Sequence, residues 1–305
     1  MANLLELYVK LAGLILIGFF LGRKLPAAVP QRLGQFLFWV GVPVSIVAFL
    51  RQADLSAQIW IAPAIAHLAI LLGAFLAWLT IKGQAYLTNT TFQHPTQGSF
   101  ILAAMVGNTG YIGFPVTLAM VGQDYFAWAL FYDLLGSLFG AYGLGVALAS
   151  RYGDGGTNYW QMTQAILINP ALWSFGLGLW FRQISISPTA EFYLEKSGWI
   201  AVALSLVLIG MRLSLLTSWQ NFPQAAISLA IKMLLVPLLL GSTLSLFGVT
   251  GSAAKVIVLQ MAMPPAFATM VLAETFNLDR NLAVTSLALG VLLLLVTLPV
   301  WLWLF

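Results

Sequence analysis

Two long apolar stretches of the sequence are each interrupted near their middle by glycine and proline. The first interruption is GNTGYIGFP at residues 107–115, and the second is MPPA at residues 263–266. Proline lacks an amide hydrogen and clashes with the carbonyl one turn earlier, so Pro115 and the pair Pro264–Pro265 must open the helix around them. Where a helix restarts, unpaired amides and a partial positive charge suit a carboxylate. The pattern therefore predicts anion binding at two broken helices.

Polar side chains beside the first interruption add hydrogen-bonding groups to such a site. The predicted substrate-binding residues are Asn108, Thr109, Gly110, Tyr111, Pro115, Pro264, Pro265 and Lys232. The alternative interpretation is that the prolines only kink packed helices and the glycines only permit close helix contacts. Two matched interruptions, one of them with a polar Asn-Thr-Gly run, favour the functional interpretation.

Three ionisable residues fall inside apolar stretches, where charge is costly and each residue merits a functional hypothesis. Asp133 either takes part in ion coupling, by binding a proton or a cation, or is the structural partner of an arginine or lysine on a neighbouring helix. Lys232 either pairs with a substrate carboxylate or with Asp133, or extends toward the membrane interface. His67 either transfers protons for ion coupling or is simply hydrogen-bonded in a packed helix.

Composition excludes several classes of protein. Of 305 residues, 61% are apolar and 7% are charged, whereas soluble domains carry about 25% charged residues. A water-soluble protein is therefore excluded. Cysteine is absent and the two histidines, His67 and His94, are far apart in sequence, so we expect no metal and no cofactor. The basic residues are scattered singly at the ends of apolar stretches, which is typical of membrane flanks and argues against nucleic acid.

Apolar stretches of roughly 20 residues, the length that crosses about 30 Å of hydrocarbon, predict about ten transmembrane helices. The first five are 4–22, 32–50, 58–81, 98–122 and 125–150, and the second five are 162–181, 197–216, 223–247, 252–275 and 281–304. The predicted fold class is all-α integral membrane. We read the N-terminal stretch as a retained first helix because no small-residue cleavage site follows it.

The two sets of five spans have similar length and rhythm, and a polar, glycine-rich turn at 151–159 separates them. An odd number of spans in each half places the halves upside down relative to one another, as in many secondary transporters. We expect residues 1–150 to form the first five-helix repeat and residues 151–305 to form the second. The broken fourth and ninth spans then occupy corresponding places and cross.

Basic residues favour the loops that follow odd-numbered spans, here called the odd-loop side. That side carries Arg23, Lys24, Arg32, Lys82, Arg151, Arg212 and Arg280, and the opposite side carries Arg51, Arg182, Lys196 and Lys255. By the positive-inside rule the odd-loop side is cytoplasmic and both termini lie outside.

The broken spans resemble a known family. GNTGYIGFPVTLAMVG at residues 107–122 is similar to the fourth-helix motif of the auxin efflux carrier family, within the wider bile/arsenite/riboflavin transporter group. QMAMPPAFATMVLAETFNLD at residues 260–279, followed by a span that ends in Thr297-Leu298-Pro299, resembles that family's last two helices. The resemblance follows span order along nearly the whole chain.

This resemblance implies two inverted five-helix repeats. Spans 1, 2, 6 and 7 would form a scaffold that dimerises, and spans 3–5 and 8–10 would form a transport unit that contains the crossover. Family members export auxin or carry malonate, malate and related carboxylates. Plant members have a long hydrophilic loop between the repeats, and the turn at 151–159 is too short for it. We therefore expect a compact, prokaryotic-type member in the inner membrane.

The predicted function is alternating-access secondary transport, as an efflux carrier, of a small organic anion such as an auxin-like or dicarboxylate compound. An anion channel and a ligand-binding membrane sensor are the alternatives, although the sequence lacks the repeated carbonyl or charged runs of selectivity filters. We expect no enzyme, because no nucleophile elbow or metalloprotease pattern occurs. The expected partners are the substrate anion, membrane lipid and a second copy of the chain. Coupling to sodium, to protons or to the membrane potential alone stays open.

Overall fold

The computed structural model describes residues 2–26, 28–89, 91–154, 160, 163–164, 167–214 and 221–305. Every regular element in these ranges is helical. The first half contains α1 Ala2–Lys24, α2 Ala28–Leu50, α3 Ala57–Leu87, α4 His94–Met105, α5 Phe114–Met120 and α6 Phe126–Tyr152. The second half contains α7 Pro170–Phe181, α8 Pro188–Ser214, α9 Phe222–Gly241, α10 Gly251–Met261, α11 Phe267–Thr275 and α12 Arg280–Leu304.

Six of these helices, α2, α3, α6, α8, α9 and α12, are long and apolar enough to cross a membrane. The fourth predicted span is the pair α4–α5, and the ninth is the pair α10–α11. The predicted all-α integral membrane fold is confirmed. Parts of three predictions lie outside the described residues: the turn at 151–159 beyond residue 154, the start of the sixth span, and the end of the seventh span.

The helices pack in two groups. In the first group, α8 packs against α1 and α2, and α2 packs against α7; α1 runs parallel to α8 with Gly18 beside Val207 and Gly22 beside Met211. Helices α3, α4, α6, α9, α10, α11 and α12 form the other group. The α5 helix touches α1 and α8, so the broken fourth span lies where the two groups meet.

Two arginines join α2 to α7 at the end of the bundle opposite the odd-loop side. Arg51 donates to the carbonyl of Ile184 at 3.0 Å, and Arg182 donates to the carbonyl of Leu50 at 3.0 Å. Because the last carbonyls of a helix have no partner within the helix, each arginine satisfies backbone groups at or near its neighbour's end.

Asp279 organises the opposite end of the bundle, on the odd-loop side. Its Oδ1 accepts from the amide of Leu282 at 2.9 Å and so caps α12. Its Oδ2 accepts from Thr96 Oγ1 at 2.9 Å and from Asn221 Nδ2 at 2.9 Å. One carboxylate therefore holds together the starts of α4, α9 and α12.

Candidate functional site

The two interrupted spans meet at their breaks. Gly107 and Pro265 face one another in an isolated antiparallel bridge. The amide of Asn108 donates to the carbonyl of Pro264 at 2.7 Å, and the amide of Ala266 donates to the carbonyl of Val106 at 3.0 Å. These bonds satisfy backbone groups that hydrocarbon could not satisfy. The crossing that the sequence predicted is therefore present, and the two breaks hold each other open.

Asn108 sits at the centre of this crossover with its side chain only partly used. It is buried, with 4% of its surface exposed. Its Oδ1 accepts from the amide of Tyr111 at 3.2 Å, as a cap of the turn Thr109–Gly113 that leads into α5. Its Nδ2 is buried and has no partner among the described residues. A buried amide donor without an acceptor is costly, and a bound anion would satisfy it.

Asp133 approaches the crossover from α6. Thr109 Oγ1 donates to Asp133 Oδ1. Within the described part of the chain, no arginine or lysine forms an ion pair with Asp133; the ion pairs found there join Arg51 to Glu191 and Arg280 to Glu274. The structural-partner alternative, which requires a neighbouring base, therefore has no support in these residues.

Lys232 approaches the crossover from α9. Its side chain is buried, with 3% exposed, and Nζ donates to the carbonyl of Met261 at 2.6 Å. The position that a Cβ would take on Gly107 lies 3.1 Å from Nζ. Lys232 thus neutralises the carbonyl end of α10, where a cation is favourable, and does not extend to the membrane interface.

A cavity of about 280 Å³ lies beside the crossover. It is lined by Phe38, Val42, Val106, Gly107, Asn108, Thr109, Gly110, Tyr111, Phe114, Asp133, Ser137, Leu138, Ala141, Tyr142, Asn169, Ala171, Ala266, Phe267, Ala268, Val271 and Leu272. Most of the lining is apolar, and polar side chains both at the crossover and on α6 and before α7 interrupt it. The cavity extends from there toward the start of α7 and along α11, so it lies on the odd-loop side of the crossover.

The α11 helix begins inside this cavity. Ala266 precedes it without a side-chain cap, and Phe267 and Ala268 are its first residues. The first amides of a helix have no carbonyl one turn earlier to bind. Together with the side-chain Nδ2 of Asn108, which also lines the cavity, these backbone amides form a group of donors suited to an anion.

Not every predicted site residue reaches the cavity. Asn108, Thr109, Gly110, Tyr111 and Asp133 line it. The pair Pro264–Pro265 turns its rings toward Gly290 of α12, and Pro115 lies in the first turn of α5, facing a separate small space of about 10 Å³. Lys232 contacts the crossover outside the cavity lining. His67 is exposed on α3, with Nδ1 2.7 Å from the carbonyl of Pro63 in the same helix.

Several lining residues were not predicted from sequence. Asn169 precedes α7, where its Oδ1 accepts from the amide of Ala171 at 3.0 Å; an Asn-Pro pair at a helix start was the available signal. Phe267 lies within the sequence motif at residues 260–279, but no role was predicted for it. Arg212 was counted with the loop after the seventh span although it falls within that span's predicted bounds. It lies inside α8, outside the cavity lining, with its guanidinium carbon 4.1 Å from the centre of the Phe267 ring. Among the described residues no three His, Asp or Glu side chains cluster as metal ligands.

A multi-pass bundle in which two broken helices cross beside a cavity has the architecture of a membrane transporter. A family described as "Membrane transport protein" matches residues 3–156 and 159–302. The chain belongs to this family, and the predicted relationship to the auxin efflux carriers is confirmed.

Two relatives come from archaea. An uncharacterized transporter of Methanothermobacter thermautotrophicus is 28% identical over 275 residues, which cover 88% of this chain and 87% of the relative. An uncharacterized transporter of Methanocaldococcus jannaschii is 25% identical over 300 residues, 95% of each chain. These relatives fit a compact, prokaryotic-type member of the family.

Proposed function

We propose that this transporter carries a small organic anion by alternating access, with the anion bound in the cavity against the crossover. The observation that carries the proposal is the buried Nδ2 of Asn108, which has no partner among the described residues and shares the cavity wall with the first residues of α11. A carboxylate at this position would accept from both. The apolar remainder of the lining suits an organic body rather than a hydrated inorganic ion.

The two packing groups support movement of one part against the other. The cavity lies between α2 and α7 of the first group and the crossover, α6 and α11 of the second. We propose that the first group is the scaffold and that the second moves as the transport unit. The inverted repeat, the homodimer, the inner-membrane location and the absence of a cofactor stay predictions.

Access differs on the two sides of the crossover. The cavity lies on the odd-loop side, which the basic residues predict to be cytoplasmic. On the other side, Gln123 Nε2 donates to Gln52 Oε1 at 2.6 Å and the amide of Asp54 donates to the carbonyl of Asp124 at 2.9 Å. These bonds join the end of α2 to the loop between α5 and α6. We infer a state that is open to the odd-loop side and closed to the opposite side.

Uptake into proteoliposomes tests the proposal. Purified protein in vesicles of defined lipid should accumulate radiolabelled indole-3-acetate or malonate above protein-free vesicles, and an excess of the unlabelled anion should compete. Saturable uptake at carrier turnover is expected. Unitary currents in planar bilayers would instead support a channel, and binding without uptake would support a sensor; either result would contradict the proposal.

A further inference from the structure

Arg212 is a basic residue inside the transmembrane helix α8. It lies two residues before the end of α8 and is only partly exposed. In the described part of the chain no carboxylate forms an ion pair with it. The undescribed positions contain no aspartate or glutamate.

The backbone position of Glu6 is far from Arg212. Residues 6 and 22 are 16 positions apart in α1, which at 1.5 Å per residue is about 24 Å. Gly22 is the residue of α1 that lies beside Met211. Glu6 is therefore near the opposite end of the helix from Arg212. A charge within a membrane span normally pairs with another group or marks a substrate path.

The side chain of Arg212 packs against a residue of the cavity lining but is not itself part of that lining. Its guanidinium carbon is 4.1 Å from the centre of the Phe267 ring, and Phe267 lines the cavity. The position that a Cβ would take on Gly34 is 2.6 Å from Nη2, so the absence of a side chain at Gly34 leaves room for the guanidinium.

Stacking on an aromatic ring leaves the N–H groups of a guanidinium free. The ring covers one face of the planar group, and the donors project from its edge. A carboxylate binds that edge through two parallel hydrogen bonds, which is the strongest geometry available to arginine. Arg212 has no hydrogen-bond acceptor among the described residues, so these donors are ready for an external anion.

We propose that Arg212 binds the carboxylate of the substrate beside the start of α11, from just outside the cavity lining, with Phe267 holding the guanidinium in position. This inference rests on the proposed function and makes Arg212 a specificity-determining residue. The same chemistry would also suit the phosphate of a lipid, since Arg212 lies near a helix end. Varying the lipid headgroup distinguishes a lipid phosphate from a substrate carboxylate.

The test measures equilibrium binding of radiolabelled indole-3-acetate, radiolabelled malonate and the neutral isostere indole-3-acetamide in nanodiscs. Arg212→Gln should weaken binding of the anions by roughly ten- to a hundredfold, the loss typical of a charged hydrogen-bonded pair. Binding of the amide should change by less than about twofold. Arg212→Lys keeps the charge without the planar fork and should give an intermediate loss.

Arg23→Gln is the matched control, because Arg23 also stacks on a phenylalanine at the same end of the bundle, 4.5 Å from the ring of Phe19, and Phe19, unlike Phe267, does not line the cavity. It should bind the probes as wild type does. Gly34→Ala replaces Arg212→Gln if that variant does not fold. The new methyl group displaces Nη2 of Arg212 and should weaken binding of the anions more than binding of indole-3-acetamide.

Nanodiscs of phosphatidylcholine alone are compared with nanodiscs that also contain phosphatidylglycerol. The proposal expects the same Arg212→Gln effect in both. An effect of Arg212→Gln that appears only with the anionic lipid would assign Arg212 to a lipid phosphate and overturn the proposal. Equal losses of affinity for indole-3-acetate and indole-3-acetamide would also overturn it. If wild-type protein binds neither anion, the proposed function fails as well; if it binds them and Arg212→Gln changes nothing, only this inference fails.

Discussion

Asn108 carries one satisfied and one unsatisfied polar atom, and replacing it with alanine separates their contributions. The Oδ1 atom accepts from the amide of Tyr111 at 3.2 Å, whereas Nδ2 is buried without a partner among the described residues. Alanine removes both atoms. Stability and substrate binding should therefore respond differently to Asn108→Ala.

The expected change in stability is small because two terms oppose one another. Loss of a helix cap costs about 0.5–2 kcal/mol. Removing a buried, unsatisfied amide relieves a penalty of about 1–3 kcal/mol. The net change should therefore lie between about 1 kcal/mol of destabilisation and about 2.5 kcal/mol of stabilisation, which is a shift of a few degrees in melting temperature. Binding, in contrast, loses a hydrogen bond to a charged group, worth about 1.5–3 kcal/mol, which is roughly a ten- to hundredfold loss of affinity.

Asn108→Asp tests the free donor separately from the acceptor. Aspartate keeps the shape of the side chain and an acceptor for the Tyr111 amide, but replaces the free donor with a charge that repels an anion. It should weaken binding more than alanine does. Asn89→Gly is a matched control: Asn89 lies beyond α3, outside the cavity lining, and its left-handed backbone (φ 51°) suits glycine.

The measurements are affinity for radiolabelled indole-3-acetate or malonate in nanodiscs, uptake into proteoliposomes, and melting temperature. Wild-type affinity in both Asn108 variants, with normal folding, would refute the placement of the anion against the crossover. A large fall in melting temperature for Asn108→Ala would show instead that the cap outweighs the unsatisfied amide.

Three further outcomes follow from the same geometry. The chain has no native cysteine, so cysteines introduced at Gln52 and Gln123 can be joined by a short bifunctional thiol reagent. The cross-link should block uptake, whereas either single cysteine should leave uptake unchanged. Continued uptake by the cross-linked protein would contradict movement on that side. Asp133→Asn keeps an acceptor for Thr109 and should remove any pH or sodium dependence of uptake measured across buffers; unchanged dependence would exclude Asp133 as the coupling residue. Lys232→Met removes the bond to the carbonyl end of α10 and should lower both melting temperature and uptake, and a normal melting temperature would contradict its structural role.

Local rules of the backbone made the broken helices predictable. The consequences of proline and glycine for a helix depend on the residue and its close neighbours, so Pro115 and Pro264–Pro265 marked the breaks without knowledge of the fold. The polar residues after the first break, Asn108 and Thr109, followed from the same reasoning. The contact between the two breaks was predicted from the assumption that the fourth and ninth spans occupy corresponding places in the two halves of the chain.

The direction of each side chain was less predictable, because it depends on which helix packs against it. The prolines open the helices but turn their rings toward Gly290 of α12, and only the backbone they release belongs to the site. Arg212 was counted with the loops, although it falls within the predicted seventh span, because basic residues near the end of a span are typical of membrane flanks. Its neighbour Phe267 is 55 positions away in sequence, and packing alone brings them together.

The charges around the crossover decide what the proposed transport cycle moves across the membrane. The group of helices proposed as the transport unit holds one acid, Asp133, and one base, Lys232, beside the crossover. When both are ionised their charges cancel, and a monoanion carried with them moves one negative charge. That movement responds to voltage by about 2.3 kcal/mol per 100 mV, so the membrane potential alone can drive export of an anion from a negative interior. If Asp133 instead takes up a proton with the substrate, the cycle becomes electroneutral, and Asp133→Asn, which fixes this position as neutral, should make uptake respond differently to an imposed potential from wild type.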